Sequence, residues 1–471
     1  MEFTFSNRNQ PQLIDGGFLY SIQKDLANGA VSWECIYRKR GICKARLKVL
    51  NGEIIERTND HTHAPSRAKV EATKIKHAMK RRAETTLDPT HRIISDTLAE
   101  VTPTAAINLP RIENIRRNIR RYRESHNLPA NPNNRADIPE IPQNLRETSD
   151  GQNFLLYDSG VGDVNRILIF ATERGINLLK QSDHWFGDGT FKVSPVIFFQ
   201  VYTIHAVCNE KVFPCIFALL PNKTAATYEL FFREIERHMD GHTPRDILFD
   251  FEQAALNSVR NIFPDVNVKG CFFHLSKNIW KRIVDNGLKV FYEENDEFAI
   301  QMRMVSALAF IPVDEVLNSF YDLEIFIRDN FDGVVGVDDI LDYFEDNYIG
   351  RQRRGRRRAI PPFPIELWNM FVRTQEELPR TNNSVEGWHH RFSLNCDGTH
   401  PSLWKFIEAL KREEGFIRAD LFQVLGGHPV THKKKYVECS QRIKNIVNNG
   451  NLRRENVLDY LRSIAPHNLS F

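Results

Sequence analysis

Three acids and a cysteine-histidine quartet are the residues of this 471-residue chain whose types and spacing could do chemistry. Asp188 lies in "WFGDGTFKVSP", between an aromatic-glycine step and a return to apolar chain, and Asp250 ends the apolar run "DILFD" just before a helix. An unpaired carboxylate is costly to hold in a buried strand. Two close carboxylates also raise each other's pKa unless a cation lies between them. A divalent ion answers both costs. Oxygen ligands suit Mg²⁺ or Mn²⁺, and two such ions about 4 Å apart activate a nucleophile and stabilise the leaving oxygen in phosphodiester displacement. Taken singly, Asp188-Gly189 also reads as a turn and Asp250 as a helix cap. A third acid, Glu386 in "TNNSVEGWHHRF", falls on a helix for which Asn382 and Asn383 are cap candidates.

The quartet is Cys35 and Cys43 in "WECIYRKRGIC" with His61 and His63 in "DHTH". Two thiolates and two imidazoles make a closed tetrahedral shell for a structural Zn²⁺, which suits a segment too small to fold on apolar burial alone. From spacing alone, exposed loop histidines and core cysteines are an equal reading. Cys271 and His274 form a further Cys-x-x-His pair. Two ligands on one element do not close a site, so a core role is expected for Cys271 and a packing or DNA-handling role for His274.

Arginines form the third group. In "RIENIRRNIRRYRESH", Ile112, Ile115, Ile119 and Tyr122 share one helical face, while Arg111, Arg116, Arg117, Arg120, Arg121 and Arg123 occupy the rest. The loop "GRQRRGRRRAIPPFP" holds Arg351, Arg353, Arg354, Arg356, Arg357 and Arg358. Guanidinium groups pair bidentately with phosphate, so each cluster favours a polyanion, although a nuclear import signal or a solvated face accounts for any one arginine. "THKKKY" is weaker evidence of the same kind.

These residues need elements to hold them. Residues 14–63 read as short strands with turns, followed by helices over "VEATKIKHAMKRRAETT" and "RIENIRRNIRRYRESH". Four prolines in "NLPANPNNRADIPEIPQNLRET" forbid regular helix and predict a linker at 127–148 with little to pack. Beyond it the strands "FLLYD", "RILIFAT", "HWFGDGTF", "VIFFQVYTIHAV" and "KVFPCIFALL" precede a helix from Tyr228 to Met239, the strand "DILFD", the helix "EQAALNSVRNIF", the strand "VNVKGCFF" and the helix "LSKNIWKRIV". That order predicts a mixed α/β sheet, an antiparallel meander extended by parallel crossovers, in which the strands of Asp188 and Asp250 are neighbours. Helix-like segments over 295–378 interrupt it as an insertion. The resulting plan is a β-rich finger at 4–65, a helical basic region at 66–126, the linker, a core in two parts at 149–294 and 379–425, and a helical tail at 426–471.

Composition limits the partners. At 41% hydrophobic and 11% aromatic the chain supports a sizeable core. No run reaches the eighteen or so apolar residues needed to span a bilayer, and "MEFTFSNRNQ" lacks a secretory pattern, so an intracellular protein with its seven cysteines reduced is expected. Residues 1–130 hold 23 Lys and Arg against 14 Asp and Glu, within a chain whose net charge is only +3. The basic part is therefore N-terminal, as for a polyanion-binding module joined to a more neutral body.

Two resemblances sharpen these readings. Leu13, Phe18, Tyr20, Trp33, Cys35, Cys43, His61 and His63, with "CKARL", resemble a FLYWCH-type zinc finger over residues 4–65. That resemblance implies zinc held by the four ligands and binding to DNA or protein, and "YRKRGICKARLK" beside Tyr37 has the character of a phosphate-contacting surface. "HWFGDGTFKVSP", "QVYTIHA", "ALLPNKTAATYELFF", "DFEQAALNSV", "CFFHLSKNIWKR", "NYIGR", "FPIELWN" and "NNSVEGWHHRF" are similar, in order, to segments of the Mutator-like (MULE) transposases over residues 150–425. This implies an RNase H-like core whose Asp-Asp-Glu triad maps onto Asp188, Asp250 and Glu386. The function expected is metal-dependent cleavage and strand transfer of double-stranded DNA at terminal inverted repeats, in the nucleus. The competing class is a transposase-derived, non-catalytic DNA-binding regulator; a general RNase H-like nuclease fits the finger and basic helices less well. Whether the chain works as a homodimer is left open.

Overall fold

The computed structural model describes residues 2–467 apart from 7–9, 86, 87, 89, 100, 125–128, 353–357, 397–399, 431–433 and 451–455. It divides into two compact units, Met1–Ala130 and Asn131–Phe471. No described helix is long and apolar enough to cross a membrane.

In the first unit six strands pair in sequence order: β1 (Glu2–Phe5), β2 (Pro11–Asp15), β3 (Phe18–Asp25), β4 (Val31–Cys35), β5 (Arg46–Leu50) and β6 (Glu53–Thr58). All pairings are antiparallel. Leu13, Tyr20, Trp33, Leu47 and Val49 alternate inward and bury with Cys35 and Cys43, which is a small core for six strands. Four helices follow: α1 (Arg67–Thr85), α2 (Thr90–Leu98), α3 (Pro103–Ile107) and α4 (Ile112–Glu124). The two between the predicted pair are short; Thr102 caps α3 by accepting from Ala105 N, one residue ahead of Pro103. Ile115 and Ile119 of α4 bury against Met79, Ile93 and Ile94 as their spacing predicts, whereas Ile112, at the first position of the helix, stays exposed.

The second unit is built on a seven-stranded mixed sheet. Its strands are β7 (Leu155–Asp158), β8 (Leu168–Phe170), β9 (His184–Thr190), β10 (Gln200–Cys208), β11 (Lys211–Leu220), β12 (Asp246–Phe249) and β13 (Asn267–Gly270). Their order is β13-β12-β9-β10-β11-β8-β7. Strands β9, β10 and β11 form the expected antiparallel meander, and β12 and β13 extend it in parallel from the β9 edge. Between strands run α5 (Gln143–Arg146), ahead of β7, then α6 (Glu173–Gln181), α7 (Ala225–Glu236) and α8 (Gln253–Ile262), with α9 (Phe272–Asp285) after β13. Phe272 and Phe273, predicted as strand, instead begin α9 with Cys271 as its N-cap residue, and residues 196–199, also predicted as strand, precede β10 in a loop.

The prediction of an unpacked linker is corrected from residue 134 onward. Ile138, Ile141 and Leu145 are buried, and the buried Arg166 guanidinium donates to the carbonyls of Ile138 and Pro139 while pairing with Asp158 at 2.6 Å. Proline removes backbone donors but leaves carbonyls, and a buried arginine satisfies them.

The sheet separates two apolar layers. One side packs Trp185, Ile204, Ile247 and Phe249 against α6, α7 and α8; the other packs Phe186 and Leu248 against α9 and a helical subdomain. That subdomain comprises α10 (Lys289–Glu294), α11 (Asp296–Ala307), α12 (Val316–Asn330), α13 (Val337–Phe344), α14 (Ile365–Trp368) and α15 (Phe371–Gln375). The chain then forms α16 (Asn383–Asn395), α17 (Leu403–Leu425), α18 (Lys434–Asn449) and α19 (Val457–Ile464). The tail does not stand apart: Leu461 and Ile464 join the subdomain's core, and Tyr460 donates to the carbonyl of Phe310 at 2.9 Å.

Candidate active site and metal centre

Strand register decides where the acids go. Strands β9 and β12 pair in parallel with Trp185 against Ile247 and Phe186 against Leu248. Side chains alternate faces, so Asp188 follows Phe186 and Asp250 follows Leu248 onto the same face, beside α9. Glycines permit the close approach. A β-carbon at Gly187 would stand 2.1 Å from the Phe249 ring, and one at Gly189 would stand 2.5 Å from the Gln200 side chain.

Asp188 is 5% exposed; its Oδ1 accepts from Gly189 N at 2.9 Å, and its Oδ2 lies 3.4 Å from His389 Nδ1. Burial, then the charges of Asp188 and Glu252, push the Asp250 carboxyl up to about 7. Asp250 is not the helix cap that its position allowed: Glu252 takes the N-cap position of α8, and Asp250 Oδ1 is buried without a protein partner among the described residues.

Glu386 sits in the first turn of α16, half-buried. Burial and the Asp188 charge raise its carboxyl, and Lys277 acts against them. His274 Nε2, from α9, lies 3.4 Å from Glu386 Oε1. Cys271 is a core thiol pushed up to about 12 by burial, and it donates to Asn382 Oδ1 at 2.9 Å. Asn382 therefore occupies the N-cap position of α16 without capping it, because its carbonyl oxygen is already used. Cys271 thus ties the start of α9 to the start of the helix that carries Glu386. Orphaned buried atoms gather here: Asp250 Oδ1, His274 Nδ1, Asn382 Nδ2 and Asn383 Oδ1. Such atoms call for an unseen partner.

Sequence reasoning missed Glu252, which accepts from Tyr228 at 2.7 Å and pairs with Lys223 at 2.5 Å beside Asp250, and it missed the role of His389. Both stand within quoted motifs, two residues after Asp250 and three after Glu386, so proximity to a candidate acid was the available signal.

In the first unit Cys35, Cys43, His61 and His63 bring their ligand atoms within 4.8 Å of one another; among the described residues no other group of three or more closes in this way. His63 turns Nδ1 toward the Ala64 carbonyl at 3.1 Å, leaving Nε2 for the centre, 3.3 Å from Cys35 Sγ. His61 does the opposite: Nε2 meets Tyr20 OH at 2.7 Å and Nδ1 lies 3.4 Å from Cys43 Sγ. Each ring nitrogen turned away from the centre has an oxygen partner, as metal-ligating imidazoles do. Burial pushes the Cys35 thiol up to about 11, so a cation is needed to keep its thiolate. Two thiolates and two imidazoles fit Zn²⁺.

Of the arginines, Arg116, Arg117 and Arg121 are exposed on α4, whereas the side chain of Arg120 and all of Arg353, Arg354, Arg356 and Arg357 lie outside the described residues. The two flanking arginines of that loop are used internally. Arg351 pairs with Asp342 at 3.0 Å and Asp346 at 2.7 Å, and Arg358 donates to the carbonyl of Gly350.

No curated protein matches the chain. Two domain families do. One, the FLYWCH zinc finger domain, matches residues 3–63 and so includes all four candidate zinc ligands. The other, the MULE transposase domain, matches residues 184–278, from β9 into α9, which includes Asp188, Asp250, Cys271 and His274 and stops before Glu386. The chain accordingly carries an N-terminal FLYWCH zinc finger domain followed by a MULE transposase domain.

Proposed function

We propose that this protein is a DNA transposase whose mixed sheet is an RNase H-like core, with Asp188, Asp250 and Glu386 as its catalytic acids. The observation that carries this is the register-determined meeting of Asp188 and Asp250 on one face, with a buried, orphaned oxygen on Asp250. Two neighbouring carboxylates repel, and the donor set is all oxygen, which fits Mg²⁺ or Mn²⁺. When bound, such ions supply activation of the attacking hydroxyl and neutralisation of the leaving oxygen.

The chain's own residues do the rest. Asp188 and Asp250 would hold the metals, Glu386 would complete the ligand set from α16, and His274 orients Glu386 through its 3.4 Å contact. Metal binding would require Asp250 to lose the proton that its raised carboxyl holds more readily than a free aspartate does. The finger, α4 and the arginines at positions 353, 354, 356 and 357 bind double-stranded DNA at the element's terminal inverted repeats, in the nucleus, through arginine-phosphate contacts.

The test is nicking and strand transfer on those repeats with Mg²⁺ or Mn²⁺. Asp188→Asn, Asp250→Asn and Glu386→Gln keep side-chain shape and should bind DNA while losing cleavage by about a thousandfold or more, the equivalent of several kcal/mol of lost metal assistance. A variant that keeps the wild-type rate removes its residue from the ligand set. A wild-type chain that binds the repeats and never cuts them instead identifies a transposase-derived regulator, the reading that the FLYWCH domain also accommodates.

A further inference from the structure

We propose that His389 is the positioning residue for Asp188, held in one tautomer by a buried chain through Thr203 and His205. The inference rests on reading Asp188 as a metal ligand. Thr203 is the direct cross-strand partner of Asp188 in the β9–β10 pair, and His205 follows it on the same face. All three side chains are enclosed: Thr203 is 0%, His205 1% and His389 8% exposed. His205 Nε2 lies 2.9 Å from Thr203 Oγ1, Thr203 Oγ1 lies 3.1 Å from His389 Nε2, and His389 Nδ1 lies 3.4 Å from Asp188 Oδ2.

Counting protons gives the chain its direction. Burial, reinforced by neighbouring His389, holds the His205 imidazole well below its ordinary pKa and therefore neutral. A neutral imidazole has one N–H, and the threonine hydroxyl has one O–H, whose other acceptor in reach, the Asp188 carbonyl at 3.4 Å, is farther away than His389 Nε2 at 3.1 Å. If His205 Nε2–H donates to Thr203 and Thr203 donates to His389 Nε2, then His389 Nδ1–H points at Asp188. The opposite order would aim a bare nitrogen lone pair at a carboxylate. The tautomer follows from this donor inventory. With Oδ1 already held by Gly189 N, the contact from His389 ties the second oxygen and fixes the plane of the carboxylate. That is how outer partners tune a metal ligand without touching the metal.

The experiment uses the full-length, zinc-loaded chain and titrates Mn²⁺, following free Mn²⁺ by electron paramagnetic resonance, with cleavage measured in parallel. His389→Ala should weaken Mn²⁺ binding about 10- to 100-fold, with cleavage largely recovered at saturating Mn²⁺. His389→Asn keeps an N–H near the Nδ1 position and should bind Mn²⁺ close to wild type, whereas His389→Gln places its donor near Nε2 and should behave like the alanine variant. Thr203→Val should weaken binding and Thr203→Ser should restore it. Unchanged Mn²⁺ affinity in His389→Ala, with Asp250→Asn binding none, overturns this inference and leaves the metal site standing. Equal losses in the Asn and Gln variants also overturn it, because a purely structural role would not distinguish them. A wild-type chain that takes up no Mn²⁺ overturns the metal reading and this inference together.

Discussion

Asp188 and Asp250 each follow by two residues a pair of neighbours in parallel strands, Phe186 and Leu248, and the charge of Asp188 helps to raise the Asp250 carboxyl. Neither acid alone explains the site. Asp188 is buried in a strand with a protein partner for each oxygen, whereas Asp250 keeps an orphaned oxygen and a carboxyl held near 7.

That relationship predicts how stability depends on pH without divalent ions. The Asp250 carboxyl rises from 3.8 to about 7 on folding, so between those values the folded chain holds more protons than the unfolded one. This contribution is complete below pH 3.8 and is lost as pH rises through about 7, at up to about 1.4 kcal/mol per pH unit. Denaturant unfolding of zinc-loaded wild type against Asp250→Asn, in buffer free of Mg²⁺ and Mn²⁺ from pH 4.5 to 8, should show the excess slope in wild type only. Added Mn²⁺ should remove it.

Gly187 should tolerate no side chain. A β-carbon there would fall 2.1 Å from the Phe249 ring, which is fully buried, so Gly187→Ala must push β12 away from β9. Overpacking of this kind costs about 1–3 kcal/mol, and the displacement should also abolish Mn²⁺ uptake. Gly387, in α16 beside Glu386, meets nothing within 4 Å, so Gly387→Ala should instead stabilise the chain by about 0.5–1 kcal/mol. Chemical denaturation of the two variants checks both signs.

One zinc per chain is expected at the quartet. Metal analysis of the full-length protein should find it, and Cys43→Ser or His61→Ala should lose it. Tyr20→Phe removes the oxygen 2.7 Å from His61 Nε2 and should weaken zinc binding about 10- to 100-fold without abolishing it. Zinc removal should also unfold the six-stranded sheet, whose core is too small to compensate.

The arginines of α4 should act on DNA without regard to sequence. Replacing Arg116, Arg117, Arg120 and Arg121 by Ala should lower the slope of log affinity against log salt by about 3 to 4, since each phosphate contact contributes about 0.9. Fluorescence anisotropy on the terminal repeats and on unrelated DNA should show matching losses. An unchanged slope would make this face of α4 merely solvated.

Much of the core was legible in the sequence because it depends on local pattern. Short apolar runs in "HWFGDGTF" and "DILFD" identify the strands of Asp188 and Asp250, and the meander-then-crossover order identifies those strands as neighbours. Spacing alone leaves the quartet balanced and the resemblance favours it, and its four ligand atoms do converge. Prolines misled at 127–148, where composition reports the lost backbone donors but not a buried Arg166 to satisfy the carbonyls.

What only the tertiary structure decided is how distant side chains share their hydrogen bonds. Asn382 has the position and chemistry of a helix cap, yet the thiol of Cys271, 111 residues away in sequence, takes its oxygen. His389 reads as one of two adjacent histidines on a helix, and only the packing of α16 on the sheet turns it toward Asp188 and Thr203 while His390 stays exposed. Periodicity along a chain specifies which face a residue takes. The partner it meets depends on long-range packing, and a buried donor or acceptor must find that partner wherever the fold supplies it.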